Sequence, residues 1–215
     1  MTQIPKIPNR HDKDFNDETR KIILQTSRRL FLEFGFRAVS TRRIAEACGL
    51  TQPALYHHFA NKQDLYLAVH QEMLTETRQG LDRVARRGGH LKDSISGVVR
   101  YLLATQGEDT NLLFHDLAHE LDMDVRDNIG NLFRENVVAP IASIFARAID
   151  QHILLNIDEG GISPMAATYL LLSMVQGMAH VPSQPEPDMA LYSVDKTADS
   201  IAEIIVNGLP RSRPS

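Results

Sequence analysis

Gln52, in a sequence of 215 residues, carries a side chain suited to reading another molecule's hydrogen-bond pattern. Its amide presents donors and an acceptor on one short arm. It follows Thr51, a residue type that caps helices, and Pro53 beside it is tolerated within a helix's first turn. A helix starting here would show its first residues to a major groove, where Gln52 can pair bidentately with an adenine or meet another base edge, and Pro53 or Ala54 can touch a thymine methyl. A second candidate lies far along the chain: His115 and His119, at i and i+4 on one helix face, followed by Glu120, Asp122 and Asp124. Two histidines at that spacing bind a metal only with a further ligand, which the sequence does not place. Core or surface histidines share the same spacing, so neither a metal nor any other cofactor is expected.

The element that must position Gln52 is the stretch 39–65, VSTRRIAEACGLTQPALYHHFANKQDL. Read as two short helices and a tight turn, it puts Ala45 in the first helix, Gly49 in the turn and Leu55 in the second. That is helix-turn-helix spacing: a small residue lets the helices cross closely, glycine takes the positive φ of the turn, and an aliphatic side chain plugs the angle between them. Ser40 or Thr41 can cap the first helix, and Thr51 the second. Leu55 and Phe59 are core by spacing.

The stretch resembles the DNA-binding head of TetR-type transcriptional regulators. The resemblance is carried by Ile44-Ala45, Ala47-Cys48-Gly49, Leu55-Tyr56, His58-Phe59 and Asn61-Lys62, with Leu30-Phe31 and Gly35-Phe36 upstream, and covers residues 18–70. It implies base contacts from Gln52, Pro53 and Ala54, with Arg42 reaching from the preceding helix. Phosphate contacts are implied for Tyr56, His57 and Lys62, joined by Thr41 and Thr51 and their backbone N–H groups. It also implies a homodimer on a palindromic double-stranded DNA operator, and a helical body over about 91–180 enclosing a small-molecule effector. Tyr101, Phe114, His115, His119, Tyr169, Met174, Gln176 and Met178 are candidate walls of that pocket, although methionines and aromatics on helices are more often ordinary core.

Charge is distributed in the same sense. Residues 1–64 hold 11 Lys+Arg against 7 Asp+Glu, while residues 65–215 hold 12 against 20, so the overall −4 conceals a basic head on an acidic body. An anionic partner is drawn to the head and repelled by the remainder. The single cysteine, Cys48, excludes an intramolecular disulfide and suits a reducing compartment. Its place beside the turn glycine fits core packing. The amino terminus has no apolar run of the signal-peptide kind, and the most apolar stretch, 166–181, is interrupted and shorter than the ~20 residues a membrane span needs. A cytoplasmic protein without membrane contact is expected.

Along the chain, apolar residues recur with helical period and no period-two run stands out, which predicts an all-α fold. Residues 1–15, with prolines and no period, read as an arm; 16–64 as the DNA-binding domain; 65–210 as a helical ligand-binding and dimerisation domain; 211–215 as a tail. Helices are expected over 16–34, 62–87, 91–105, 110–120, 125–155, 164–181 and 194–207. Pro140 falls inside the fifth of these and should kink it near 136–139. Ala166, Leu170, Ser173 and Gly177 form a small-residue face, and Ile201, Ile204 and Ile205 an apolar side of the last helix. Together they predict a four-helix dimer interface, against the alternative that they close the chain's own core. The sequence has no HExxH, no phosphate-binding glycine loop and no nucleophile elbow, so no enzyme is expected. The reading is a regulator, most simply a repressor released by an effector; an activator or a non-specific architectural DNA binder has the same outward features.

Overall fold

The computed structural model describes residues 10–105, 120–179 and 193–208, with side chains in the first helix from Asn16 onward. All regular structure among them is helical: α1 (Arg10–Ala38), α2 (Thr41–Ala47), α3 (Gln52–His58), α4 (Lys62–Arg86), α5 (Leu91–Thr105), α6 (Met123–Phe133), α7 (Ala139–Asp150), α8 (Pro164–Ala179) and α9 (Val194–Gly208). The chain forms two compact units. One comprises Met1–Glu72 with Asp109–Ile129, the other Met73–Glu108 with Gly130–Ser215. The helix expected over 110–120 lies outside the described residues but for its last, Glu120, which stands in a turn.

In the first unit, α1 buries Ile23, Ser27, Leu30 and Phe31 on the face its spacing marks out. It begins at Arg10, ahead of the start expected at residue 16, since no proline or glycine interrupts the sequence from Arg10 to Phe34. Gly35, with φ 77° and ψ 164°, breaks the helical path as expected and carries Phe36 and Val39 into the core. Only glycine takes that backbone geometry without strain. Phe31, Phe36 and the fully buried Tyr66 of α4 then form an aromatic cluster, with ring centroids 4.9 Å and 5.0 Å from Tyr66 in edge-on arrangement. Such side chains each contribute roughly 1.5–3 kcal/mol through burial alone. The start of α6 belongs to this unit as well: Leu121 is buried, the Gln63 side-chain amide donates to the Asp122 carboxylate at 2.8 Å, and the Asp122 N–H returns to the Gln63 side-chain oxygen Oε1 at 3.3 Å.

In the second unit, α5 and α9 pack along one another. Leu91, Ile95, Val98, Val99 and Leu102 meet Ala198, Ile201, Ala202, Ile205 and Val206 in one core, which α7 and α8 close with Ile141, Ile144, Phe145, Ala167, Leu171 and Val175. Polar pairs edge the seam: the Ser96 hydroxyl donates to Asp199 at 2.5 Å, Arg100 pairs with Asp195 at 2.5 Å, and Lys92 pairs with Glu203. The helix expected to reach residue 155 stops at Asp150, where His152 takes a φ of 56° and Ile153 N–H closes back on the Ala148 carbonyl at 2.8 Å.

Pro140 has the predicted effect, in a specific form. The chain passes through a π-helical turn, Arg134–Val138, immediately before it. In that wider register the N–H that proline lacks would have gone to the Glu135 carbonyl, five residues back. Arg78 of α4 fills the gap, donating from Nη1 to Glu135 O at 2.9 Å while its Nε holds Asp82 at 3.0 Å. Arg78→Met should therefore cost about 1–2 kcal/mol in chemical denaturation, and distinctly less in a Pro140→Ala background, where a backbone donor reaches Glu135 without help. Equal losses in the two backgrounds would show that Arg78 acts elsewhere.

Candidate nucleic-acid interface

The turn that carries Gln52 is closed entirely by local hydrogen bonds. Ser40 caps α2, its hydroxyl accepting from Arg43 N–H at 3.1 Å. At the other end Leu50 N–H reaches the Ala45 carbonyl at 2.9 Å and Gly49 N–H the Glu46 carbonyl at 3.1 Å, with Gly49 at φ 69°. This is the Schellman arrangement, which needs a left-handed residue at that position. Thr51 then caps α3, accepting from Ala54 N–H at 3.4 Å, and Pro53 sits in the first turn where no N–H is required. Ile44, Ala45, Leu55 and Phe59 are buried beneath, so α2 and α3 are held by their core faces and expose the others.

On that exposed side three predicted residues form one cluster. Gln52 Nε2 donates to Thr41 Oγ1 at 2.9 Å and to the Tyr56 hydroxyl at 3.4 Å, and the two hydroxyl oxygens lie 3.2 Å apart. The hydrogen bonds from Thr41 and then Gln52 hold the Tyr56 phenol below its usual pKa. Pro53 and His57 are exposed and Ala54 half-buried beside them. Arg42 is exposed too, but its Nε is paired with Glu46 at 2.8 Å, one helical turn on. Glu46 is thus a part of the surface that sequence reading missed, although an acid four residues after an arginine is itself a signal. Arg43 lies over the ring of the partly exposed Phe34, 3.9 Å from its centroid. Arg20 covers Phe59 in the same way at 4.4 Å. Burial first, then Arg20 and His57, lower the pKa of His58 and favour its neutral form. Burial likewise raises the Cys48 thiol, partly offset by a bond to Thr26.

Lys62 is the predicted phosphate contact with the most internal commitments. Its ammonium donates to the carbonyls of Phe36 at 2.8 Å and Val39 at 3.1 Å and stands 4.0 Å from the centre of the Phe36 ring. Two of its three hydrogens thereby tie the first turn of α4 to the α1–α2 junction. Lys62→Met is expected to lower stability by roughly 1.5–3 kcal/mol, as for hydrogen bonds to a charged group. It should leave the slope of log affinity against log salt unchanged; a slope reduced by about 0.9 per head would instead mark a direct phosphate contact.

The residues predicted for the body are brought together only in part. Phe114, His115 and His119 lie outside the described residues. Tyr101, Met174 and Met178 pack against the core, Tyr101 donating to the Glu76 carbonyl at 3.3 Å, whereas Tyr169 and Gln176 face outward on α8. A recess of about 230 Å³ between the ends of α4, α5 and α7 is lined by Leu91, Ile144, Arg147 and Ile153 among others, and by none of the predicted pocket residues. Ala166, Leu170, Ser173 and Gly177 are all exposed on one side of α8, next to exposed Met165 and Tyr169. The last helix divides differently from expectation: Ile201 and Ile205 are buried in the chain's own core against α5, and of the three isoleucines Ile204 alone is exposed. Among the described residues no helix is long and apolar enough to cross a membrane.

Residues 23–69 match the family model described as bacterial regulatory proteins, tetR family. Its amino-terminal head is therefore of the TetR-family type. Among curated TetR-type relatives the chain is 39% identical over 87 residues to the HTH-type transcriptional repressor AcnR of Corynebacterium efficiens, a match covering 38% of this chain and 44% of that one. The chain thus spans under half the length of that relative. The fold, by contrast, is shared almost throughout. A FadR transcriptional regulator from Bacillus subtilis, solved with stearoyl-CoA, superposes at a TM-score of 0.71 with 15% identity, covering 87% of this chain and 98% of that one. A protein described as superantigen PfiT superposes at 0.72 with 14% identity over 86% and 95% of the two chains. Beyond the head the likeness is therefore one of fold alone, while the sequence likeness to the family model lies in the part that holds Gln52.

Proposed function

We propose that this protein is a homodimeric transcriptional repressor that binds a palindromic operator and is released by a small-molecule effector. The observation that carries this reading is the Thr41–Gln52–Tyr56 cluster: polar side chains fixed on the exposed side of a capped, buried-core helix-turn-helix, within the segment matched by the family model. Residues 16–64 serve as the DNA-binding domain and 65–210 as the ligand-binding and dimerisation domain, with 1–15 and 211–215 flanking them. One head spans too few base pairs for specificity, so two must act on half-sites related by a two-fold axis. The exposed face of α8, with Ala166, Leu170, Ser173 and Gly177 flanked by Met165 and Tyr169, and Ile204 on α9, supports such a pairing. Apolar surface of this kind on small residues permits close helix approach between copies.

Release follows from linkage. An effector lowers operator affinity only by binding more tightly to the form whose two recognition helices no longer match half-sites about 34 Å apart. A FadR regulator of similar fold is solved with stearoyl-CoA, and in this chain the helical body would take the effector. The test is selection of bound sequences from a random DNA library near physiological salt, followed by affinity of the selected sequence against scrambled DNA. A palindrome bound about a thousandfold tighter is the expected result. Uniform, steeply salt-dependent binding to all sequences would replace this reading with a non-specific architectural one.

A further inference from the structure

We propose that Gln52 reads its base pair as an acceptor only, taking a hydrogen from an exocyclic base amine, because Thr41 and Tyr56 engage both hydrogens of its amide nitrogen. This rests on the DNA-reading role proposed above and goes beyond it in fixing which chemical group of the base is read.

The three polar atoms form a closed triangle: Gln52 Nε2 to Thr41 Oγ1 at 2.9 Å, Gln52 Nε2 to Tyr56 OH at 3.4 Å, and oxygen to oxygen at 3.2 Å. Three edges need three hydrogens. The amide nitrogen supplies two, one hydroxyl supplies the third, and the other hydroxyl keeps its hydrogen for a partner outside the triangle. Turning the amide over would place its carbonyl oxygen between the hydroxyls. Only the two hydroxyl hydrogens would then remain for three edges, so one edge would be left without a hydrogen. The observed orientation is therefore the one in which every edge is a hydrogen bond. It leaves the Gln52 carbonyl oxygen without a partner among the described residues.

A bidentate pairing with adenine asks for more than this. It needs the carbonyl to accept from N6 and an amide hydrogen to go to N7. With both amide hydrogens held in the triangle, only the first half is available. Each Watson–Crick pair shows one amine to the major groove, on adenine or on cytosine, so Gln52 distinguishes pairs by where that amine lies.

The test uses the full-length protein on its selected operator. Gln52→Ala first identifies the base pair whose preference depends on this side chain. At that pair the amine is deleted, with 2-aminopurine for adenine or 2-pyrimidinone for cytosine, and separately the purine N7 is removed with a 7-deaza base. Amine deletion should weaken the wild type about three- to tenfold per half-site and leave Gln52→Ala unaffected, while the 7-deaza base changes wild-type affinity less than about twofold. In Thr41→Val one amide hydrogen is released, and the 7-deaza base should now weaken binding. A wild-type loss on the 7-deaza base as large as that on amine deletion would overturn the proposal in favour of bidentate reading. So would the absence of any pair whose preference depends on Gln52. Failure to select any sequence would instead remove the DNA-reading role itself, a distinct outcome.

Discussion

Replacing Gln52 with alanine is expected to weaken binding to the selected operator roughly 30- to 1,000-fold while leaving affinity for scrambled DNA unchanged. Losing one directed contact to a base edge costs about 1–2 kcal/mol per head, and a two-headed complex on a palindrome loses it twice. Stability should hardly move, because the side chain is only half-buried and its partners, Thr41 and Tyr56, keep each other and gain water. The contrast between cognate and scrambled DNA is the informative part. Phosphate contacts such as those assigned to Tyr56 and His57 act on all sequences alike, so their loss lowers both affinities together. Gel-shift or anisotropy titrations at one fixed salt concentration measure it. If Gln52→Ala weakened both DNAs equally, the side chain would be a positioning group and not a reader.

Tyr66→Ala should remove about 3–5 kcal/mol of stability, the range for deleting a large buried aromatic side chain. Tyr66 has no exposed surface, and it is where Phe31 and Phe36 of the first helix meet α4, with the His70 ring tilted against it at a centroid distance of 4.3 Å. No single neighbour can fill the space, because the aromatic rings approach it edge-on from fixed backbones. Urea denaturation followed by circular dichroism gives the number. Met123→Ala in the same unit is the control: that side chain is 74% exposed and its loss should fall within about 0.5 kcal/mol. A Tyr66→Ala protein as stable as this control would mean that the aromatic cluster does not hold the head together.

The parts of the molecule that could be read from the sequence are those fixed by near neighbours in the chain. Ser40, Gly49, Thr51 and Pro53 each do what their chemistry and position demand, and Pro140 disturbs its helix where steric reasoning places the disturbance. What spacing alone does not convey is which of two neighbours a helix face meets. Ile201, Ile204 and Ile205 read as one apolar side, yet α5 covers the first and last and leaves Ile204 outside. Tyr169 and Gln176 differ from Met174 and Met178 for the same reason: they lie on one helix but opposite sides of it. Lys62 could be read from the sequence as a cation suited to a phosphate, but the carbonyls of Phe36 and Val39 are 26 and 23 residues away and reach it only through the fold. The Arg42–Glu46 pair, by contrast, lies in plain view at four-residue spacing and bears on how freely Arg42 can reach a base.

The pairing of α5 with α9 also sets an order of events during synthesis. Ser96 bonds to Asp199 across 103 residues, so the second unit's core cannot close until nearly the last helix has left the ribosome. At about 5–20 residues per second that delay is roughly 5–20 seconds, during which Ile95, Val98 and Val99 lack the cover that α9 provides. The helix-turn-helix has no such wait, since its caps and its Schellman turn close within 15 residues of one another. A nascent chain would thus carry a folded head on an unfinished body, and an apolar α5 in search of a partner. Truncations that remove α9 should accordingly bind chaperones and aggregate, even though every residue of the head is present.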